Sequence, residues 1–154
     1  MTRYFDDLEI GATERFGRYD VTREEVIEFA SKYDPQAFHL DDEAASSSIF
    51  GKIAASGWHT CGMMMRMQVD HWKETGFDKA SLGGAGMDEL RWTKPVYPGD
   101  TLSCEVTLIE KIASKSKPDR GFIKSHWKVI NQDDDVVLTL TSTGIIRRRP
   151  AETE

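Results

Sequence analysis

The residues with the clearest chemical potential are Asp34 and His39, which lie five positions apart in one short segment between two helical patterns. A carboxylate and an imidazole placed in this way can converge on one water molecule. Histidine suits proton transfer near neutral pH because its ordinary pKa is ~6.5. A plainer interpretation also stays open, in which Asp34 only ends a helix before a proline and His39 is an exposed loop residue.

A second chemical feature is a helix start at Ser56 and Gly57, which opens a Met-rich segment. The first turn of a helix carries free backbone N–H groups, and these can stabilise negative charge on a ligand oxygen. Because Gly57 has no side chain, a ligand carbonyl could approach its N–H group closely. Alternatively, Gly57 is only a permissive residue near a helix start and Ser56 is its N-cap; the two interpretations are compatible.

The elements that must position these residues begin with a strand predicted over Gly11–Asp20. Thr22 and Glu25 then have the spacing of a capping box, in which each side chain bonds the other residue's backbone N–H group. The helix that follows has one apolar stripe, formed by Val26, Phe29, Ala30 and Tyr33. Pro35 disfavours helical geometry at Asp34, so the carboxylate is expected at or just past the helix end.

The rest of the chain predicts one long helix followed by strands. From Gly57 to about Thr75 the apolar residues surround much of the helix, which is typical of a buried helix wrapped by other elements. Beyond Gly76 the pattern alternates and predicts strands around 87–93, 101–108, 122–129 and 136–146. With the first strand they give an antiparallel sheet of about five strands, and residues 1–154 form a single α+β domain.

Composition excludes several classes of function. The net charge of −6 argues against nucleic acid as a partner, because phosphate binding needs a basic surface. No apolar run approaches the ~18 residues of a membrane span, so no membrane partner is expected. The first residues lack the apolar segment of a secretory signal, which favours a cytoplasmic protein. Cys61 and Cys104 are expected to be buried reduced thiols rather than a disulfide.

Several other motifs lack the spacing that their chemistry requires. The glycine-rich stretch 81–86 lacks the G-x-G-x-x-G spacing of a nucleotide loop and precedes a strand pattern rather than a helix. His59 and His71 do not have metal-ligand spacing, so metal catalysis is unsupported. No G-x-S-x-G motif of a serine hydrolase is present either.

Three segments together carry a resemblance to a known family. They are Asp34-Pro35-Gln36-Ala37-Phe38-His39, Ser56-Gly57-Trp58-His59 and Arg91-Trp92-Thr93-Lys94-Pro95-Val96-Tyr97-Pro98-Gly99-Asp100. The chain resembles the MaoC-like group of hotdog-fold proteins, which are relatives of (R)-specific enoyl-CoA hydratases. It departs from the usual motif at Gln36, where the family often has Asn, with the proline displaced to Pro35. Ser56 stands where His often precedes the glycine of the central helix.

The resemblance implies a hotdog fold, usually assembled as homodimers or larger homo-oligomers. It implies reversible hydration of a 2-enoyl thioester, carried by CoA or a carrier protein, to a 3-hydroxyacyl thioester. Asp34 and His39 would orient and deprotonate the water, and the Gly57 N–H group would hold the thioester oxygen. Gln36, Ser56 and Trp58 would bind substrate. No metal or redox cofactor is implied, and CoA enters only as part of the substrate.

Two other functions remain open. A hotdog thioesterase would use the same oxyanion site, but it usually has an acidic residue near the helix start, whereas Asp70 and Glu74 lie late in this helix. A non-catalytic acyl-CoA-binding module would tolerate loss of Asp34 or His39, and both are present. A homodimer is also expected because one thin sheet leaves an edge and apolar surface uncovered, with Trp92 and Trp127 as candidates for that surface.

Overall fold

The computed structural model describes residues 1–152. The elements in chain order are β1 (Thr13–Asp20), α1 (Arg23–Tyr33), α2 (Asp42–Ser46), α3 (Gly57–Thr75), β2 (Ser81–Trp92), β3 (Thr101–Ala113), β4 (Arg120–Ile130) and β5 (Val136–Arg147). Short 3-10 turns occupy Phe5–Asp7 and Ala37–His39. The bounds of α3 match the prediction, and the first strand begins two residues later than predicted. In this part of the chain no helix is both long and apolar enough to cross a membrane.

The five strands form one sheet in the order β1-β3-β4-β5-β2, and every neighbouring pair is antiparallel. The predicted α+β hotdog fold is therefore confirmed. The strand β4 lies at the centre of the sheet, and from Ser125 to Val129 its residues alternate between buried and partly exposed positions. Trp127 and Val129 are buried, at 3% and 0% exposed, while Lys128 between them is partly exposed. A strand with one apolar face and one polar face is suited to packing a helix on one side.

The long helix α3 packs on the sheet through Met63, Met64 and Met67, all of which are buried in the main hydrophobic core. Its other side is not covered, since Trp58 and Met65 are 59% and 41% exposed. The expectation of a helix wrapped on all sides therefore holds for one side only. The rest of its apolar surface faces outward in the isolated chain, which is why the sequence pattern indicated burial around the circumference.

The edge strand β2 departs most from the sequence prediction. It begins at Ser81 rather than near residue 87, so the glycine-rich stretch is extended strand and not a loop. Its pairing with β5 shifts register three times, which identifies it as an irregular strand. Trp92 at its end is 44% exposed, as expected, but Trp127 is buried and was wrongly placed among the uncovered residues. Alternation in β4 points Trp127 into the core.

Other local predictions hold in part. The Thr22 hydroxyl accepts a hydrogen bond from the Glu25 N–H group at 3.3 Å, which confirms half of the capping box. The Glu25 side chain does not reach back to Thr22, because it bonds Tyr19 and His59 instead. Both cysteines are free thiols; Cys104 is fully buried and Cys61 only half-buried. Burial raises the pKa of Cys104 to about 12, which suits a packing role.

Candidate active site

The segment that carries Asp34 and His39 begins at the end of α1. The helix stops at Tyr33, and the Asp34 N–H group still donates to the Ala30 carbonyl at 2.9 Å although Asp34 itself has left helical geometry. The 3-10 turn at Ala37–His39 then brings the histidine back beneath the helix end. His39 is only 5% exposed, so the interpretation of an exposed loop histidine is wrong.

Asp34 and His39 are in contact. Oδ2 of Asp34 lies 3.3 Å from Nε2 of His39, and the other ring nitrogen, Nδ1, lies 2.6 Å from the Ala54 carbonyl oxygen. A carbonyl can only accept a hydrogen bond, so Nδ1 must carry the proton that it donates. In the neutral ring Nε2 is then unprotonated. The geometry therefore presents a proton acceptor beside a carboxylate.

The carboxylate of Asp34 is stabilised in its charged form. Burial acts to raise its pKa, but the hydrogen bond from Gln36, the nearby Ser56 hydroxyl and the positive charge of His39 in its protonated form outweigh burial, so the pKa lies below its ordinary value. The Gln36 amide donates to Asp34 Oδ1 at 2.7 Å. This leaves Oδ2 as the oxygen that faces the histidine. Gln36 thus holds Asp34 in place, and its exposed side chain can also meet a ligand.

Ser56 lies at the start of α3 but does not cap it. Its side chain makes no hydrogen bond to the first helical N–H groups, which corrects the N-cap interpretation. The residue is fully buried, and its hydroxyl forms no well-aligned hydrogen bond with the described chain. It lies close enough to Asp34 to help lower the pKa of that carboxyl.

The neighbouring Trp92 side chain leaves no room for a side chain at residue 57. The Trp92 indole N–H group donates to the Gly57 carbonyl at 2.8 Å, and a Cβ at residue 57 would overlap the indole ring. Trp58 meets the edge of Trp92 with ring centroids 5.2 Å apart and is otherwise exposed. The N–H group of Gly57 donates no hydrogen bond within residues 1–152, so it is open to a ligand.

The structure therefore brings the half-buried Asp34 together with the buried His39 and Ser56, with Gly57 as the next residue along the chain. Gln36 and Trp58 lie on the more exposed side of this cluster. Two contributors were missed. Ala54 acts through its backbone carbonyl and has no sequence signal, whereas Trp92 belongs to the segment before the Pro-Gly-Asp turn and could have been noticed.

A second polar cluster joins α1 to α3. One carboxylate oxygen of Glu25 bonds both the Tyr19 hydroxyl and His59 Nε2, the latter at 2.9 Å. Burial acts to raise the pKa of Glu25, but these two hydrogen bonds prevail and lower it. His59 also stacks on Phe29 with ring centroids 4.8 Å apart. The cluster fixes the helix that ends at Asp34 against the helix that starts at Gly57.

A separate cavity lies between α3 and the inner face of the sheet. Its volume is about 310 Å³, within the range of small-molecule sites. It is lined by apolar residues such as Met64 and Trp127 and by several polar ones, but not by Asp34, His39 or Gly57 of the same chain. Within residues 1–152, no three His, Cys, Asp or Glu side chains are grouped to hold a metal ion.

With this geometry established, comparison with known proteins gives the family. The model described as "MaoC like domain" matches residues 8–125, so the chain belongs to the MaoC-like family. It is 39% identical to a MaoC-like dehydratase from Rhodospirillum rubrum, whose crystal structure superposes with a TM-score of 0.86 over 97% of this chain and 99% of that one.

Two curated relatives extend the comparison. An uncharacterized protein of Bacillus subtilis, YdeM, is 33% identical over 93% of this chain and 98% of its own length. The 3-hydroxyacyl-thioester dehydratase Z of Mycobacterium tuberculosis is 31% identical over 67% of this chain and 70% of its own. At the level of the family, these similarities support a hydro-lyase.

Proposed function

We propose that this protein reversibly hydrates a 2-enoyl thioester, bound to CoA or to a carrier protein, and forms a 3-hydroxyacyl thioester. The observation that carries the proposal is the fixed orientation of His39. Its Nδ1–H group is held by the Ala54 carbonyl, so Nε2 can accept a proton beside the Asp34 carboxylate. The dehydratase among its relatives supports the same class of reaction.

In the proposed mechanism a water molecule donates one hydrogen bond to His39 Nε2 and the other to Asp34 Oδ2. Atoms 3.3 Å apart can both be reached by one oxygen at ordinary hydrogen-bond distance. His39 removes a proton as the water oxygen attacks C3, and the same proton is returned to C2. Asp34, whose lowered pKa keeps it ionised near neutral pH, orients the water and stabilises the charged imidazole.

Negative charge develops on the thioester oxygen as C3 is attacked. We assign the Gly57 N–H group to hold this oxygen, because it lies in the first turn of a helix of 19 residues and no side chain caps it. The scheme is redox-neutral and needs no cofactor beyond the thioester. Ser56 and Trp58 border this position, and Gln36 borders the carboxylate.

We also propose a homodimer joined along β2. This strand pairs only with β5, so its other edge is unpaired in the isolated chain. Exposed apolar side chains lie along it and on the adjacent side of α3, namely Leu82, Met87, Trp92, Trp58 and Met65. A symmetric copy would cover both features. Light scattering at micromolar concentration should give at least a dimeric mass, and a fully active monomer would refute the proposal.

A panel of enoyl-CoA thioesters tests the activity. Loss of conjugated absorbance without release of free thiol is the expected result. Release of thiol would instead identify a thioesterase, and saturable binding without either change would identify a binding module. Asp34→Asn is the control for background hydration, since it keeps the shape of the side chain while removing the charge.

A further inference from the structure

His59 is a buried histidine that the proposed mechanism does not use. It is the third residue of α3, and it contacts α1 at two points. Its Nε2 atom lies 2.9 Å from Glu25 Oε1, and its ring stacks on Phe29 with the two planes 7° apart. Glu25 and Phe29 are four positions apart, so they share one face of α1. His59 therefore ties the start of α3 to two successive turns of α1.

The hydrogen bonds of His59 define where its proton lies. Burial acts to raise the pKa of Glu25, but hydrogen bonds from Tyr19 and His59 outweigh burial and keep the carboxylate charged. A charged carboxylate only accepts hydrogen bonds, so Nε2 of His59 must carry the proton that it donates. The other ring nitrogen, Nδ1, is buried and forms no hydrogen bond within residues 1–152. An N–H group there would be a buried donor without a partner, which is unfavourable, so the ring is neutral.

The two buried histidines near the start of α3 therefore carry their protons on opposite nitrogens. His39 has its proton on Nδ1, which donates to the Ala54 carbonyl, and its Nε2 is free to accept a proton. His59 has its proton on Nε2 and uses it to hold Glu25. Because the accepting nitrogen of His59 is buried, this side chain acts as a fixed donor rather than as an acid or a base.

The two members of the acid/base pair are held by different parts of the chain. The His39 ring is fixed by the Ala54 carbonyl, in the segment that leads into α3. Asp34 is fixed to α1, because its N–H group donates to the Ala30 carbonyl at 2.9 Å. The 3.3 Å between Asp34 Oδ2 and His39 Nε2 therefore depends on how α1 lies against the start of α3. The distance from Asp34 to the Gly57 N–H group depends on the same contact between helices.

Other contacts keep α1 attached to the core when His59 is replaced. Val26 and Ala30 of this helix are fully buried, and Val26 belongs to the main hydrophobic core. Loss of the His59 contacts should therefore let α1 shift while the protein stays folded. Misplacement of a reacting group by about 1 Å can slow a reaction by as much as ~10². A small displacement of α1 would thus affect turnover more than stability.

We propose that His59 is a positioning residue for the acid/base pair. As a neutral Nε2–H donor it holds Glu25 and thereby α1. The position of α1 then sets Asp34 against the His39 ring and the Gly57 N–H group. For the proposed function, on which this inference rests, hydration then depends on a side chain that touches neither the water nor the thioester.

Two substitutions of His59 separate the hydrogen bond from the bulk of the side chain. The amide of His59→Gln can still donate to Glu25, whereas His59→Leu cannot. His59→Leu should lower kcat for an enoyl-CoA thioester by about tenfold or more and change KM little, because the reacting groups are misaligned while the thioester still binds. His59→Gln should recover most of that loss. Equal kcat in the two variants would overturn the role of the hydrogen bond.

Tyr19→Phe is the matched control for these variants. It removes the other hydrogen bond to the same Glu25 oxygen, but Tyr19 belongs to β1, so the contact between α1 and α3 remains. Its kcat should stay near that of the wild type even where its melting temperature falls. A fall in kcat as large as that of His59→Leu would mean that the stability of the cluster governs turnover, and it would overturn the proposal.

Nitrogen NMR of isotope-labelled histidine rings tests the positioning without turnover. At neutral pH His59 should show a protonated Nε2 and an unprotonated Nδ1, and His39 should show the reverse. The Nε2 signal of His39 should move in His59→Leu, where Asp34 shifts, and stay near its wild-type position in His59→Gln and Tyr19→Phe. A proton on Nδ1 of His59, or a His39 signal that does not respond to His59→Leu, would overturn the proposal.

The outcomes separate this inference from the proposed function. Hydration by the unmutated protein, with kcat and the His39 signal both unchanged in His59→Leu, would overturn the inference and leave the function intact. A His39 signal that responds to His59→Leu in a protein that hydrates no enoyl thioester would overturn the function alone. Thermal melts establish that each variant is folded. Should His59→Leu not fold, Glu25→Leu removes the same hydrogen bond from its partly exposed side and should give the same changes in kcat and in the His39 signal.

Discussion

The starts of α1 and α3 both place a hydroxyl residue before a helix, yet they use it differently. At α1, Thr22 is exposed to solvent and its hydroxyl accepts a hydrogen bond from the Glu25 N–H group. At α3, Ser56 is fully buried and its hydroxyl leaves the helix uncapped. The short helix α2 follows the first pattern, with Asp41 accepting from Ala44. Of these three helix starts, only the one beside Asp34 and His39 has no side-chain cap.

This difference shows that a residue which predicts a helix cap from sequence can have other neighbours at a functional site and leave the helix uncapped. A serine before a helix predicts a cap because the hydroxyl can satisfy an otherwise free donor. Beside Asp34 the same hydroxyl lies near a half-buried carboxylate, where it helps to lower the pKa of that carboxyl. The donors released in this way are available to an anionic ligand oxygen.

The largest expected effect on hydration comes from replacing Asp34 or His39, which lie beside the start of α3. Asp34→Asn and His39→Ala should each slow hydration by ~10² or more while the protein stays folded. The double variant should be little slower than either single one, because the two groups act on one water. Steady-state kinetics with thermal melts measure this. Near-normal activity in either single variant would refute the assignment.

The next largest effect concerns the Gly57 N–H group, the proposed donor to the thioester oxygen. Gly57→Ala should lower stability by about 1–3 kcal/mol, because the new methyl group overlaps the Trp92 ring. In a Trp92→Ala background most of that cost should disappear, since the space is then empty. Hydration should nevertheless fall further in the double variant than in Trp92→Ala alone, because the methyl group also obstructs the thioester oxygen.

Unfolding and kinetic measurements on the wild type, Gly57→Ala, Trp92→Ala and the double variant test whether the thioester oxygen lies at Gly57. Unfolding gives the coupling between residues 57 and 92, and kinetics gives the additional loss from the methyl group. If the double variant is as active as Trp92→Ala, the thioester oxygen does not lie at Gly57, and the glycine serves only to accommodate the indole ring.

A smaller effect distinguishes the two hydroxyl residues directly. Thr22→Ala should lower stability by about 1 kcal/mol through loss of its cap and leave hydration unchanged. Ser56→Ala removes no cap, so its effect should appear in kcat rather than in the melting temperature. Thermal melts and kinetics on both variants form a crossed comparison. Equal loss of stability with unchanged kinetics in both would mean that Ser56 caps the helix in solution.

Much of the fold could be predicted because its signals are local and periodic. The bounds of α3 follow from a long apolar segment closed by Gly76, which adopts a left-handed conformation with φ of 78°. Strands β3, β4 and β5 follow from alternation. The irregular β2 could not be placed from pattern alone, since its glycines carry no side chains that alternate.

The sequence predicted the main residues of the candidate site, but not the backbone and side-chain contacts that hold them in place. Asp34 and His39 are close in sequence, so their contact could be anticipated from a short loop. The Ala54 carbonyl that orients the imidazole comes from a different segment and could not be anticipated, because any residue supplies a carbonyl. The Trp92 ring over Gly57 depends on how β2 meets α3, which is a tertiary contact.

The smallest predicted effect is the pH dependence of stability that Asp34 confers. Its folded pKa is lower than its ordinary value of 3.8, so the contribution is fully present above that value and is lost as pH falls through the folded pKa. The wild-type melting temperature should therefore decline more steeply than that of Asp34→Asn between about pH 4 and more acidic solution. Gln36→Leu, which removes the hydrogen bond to Oδ1, should show an intermediate decline. Parallel curves for the wild type and Asp34→Asn would indicate that burial and hydrogen bonding cancel at this carboxylate, and that the acid/base pair is held without any net stabilisation of its charge.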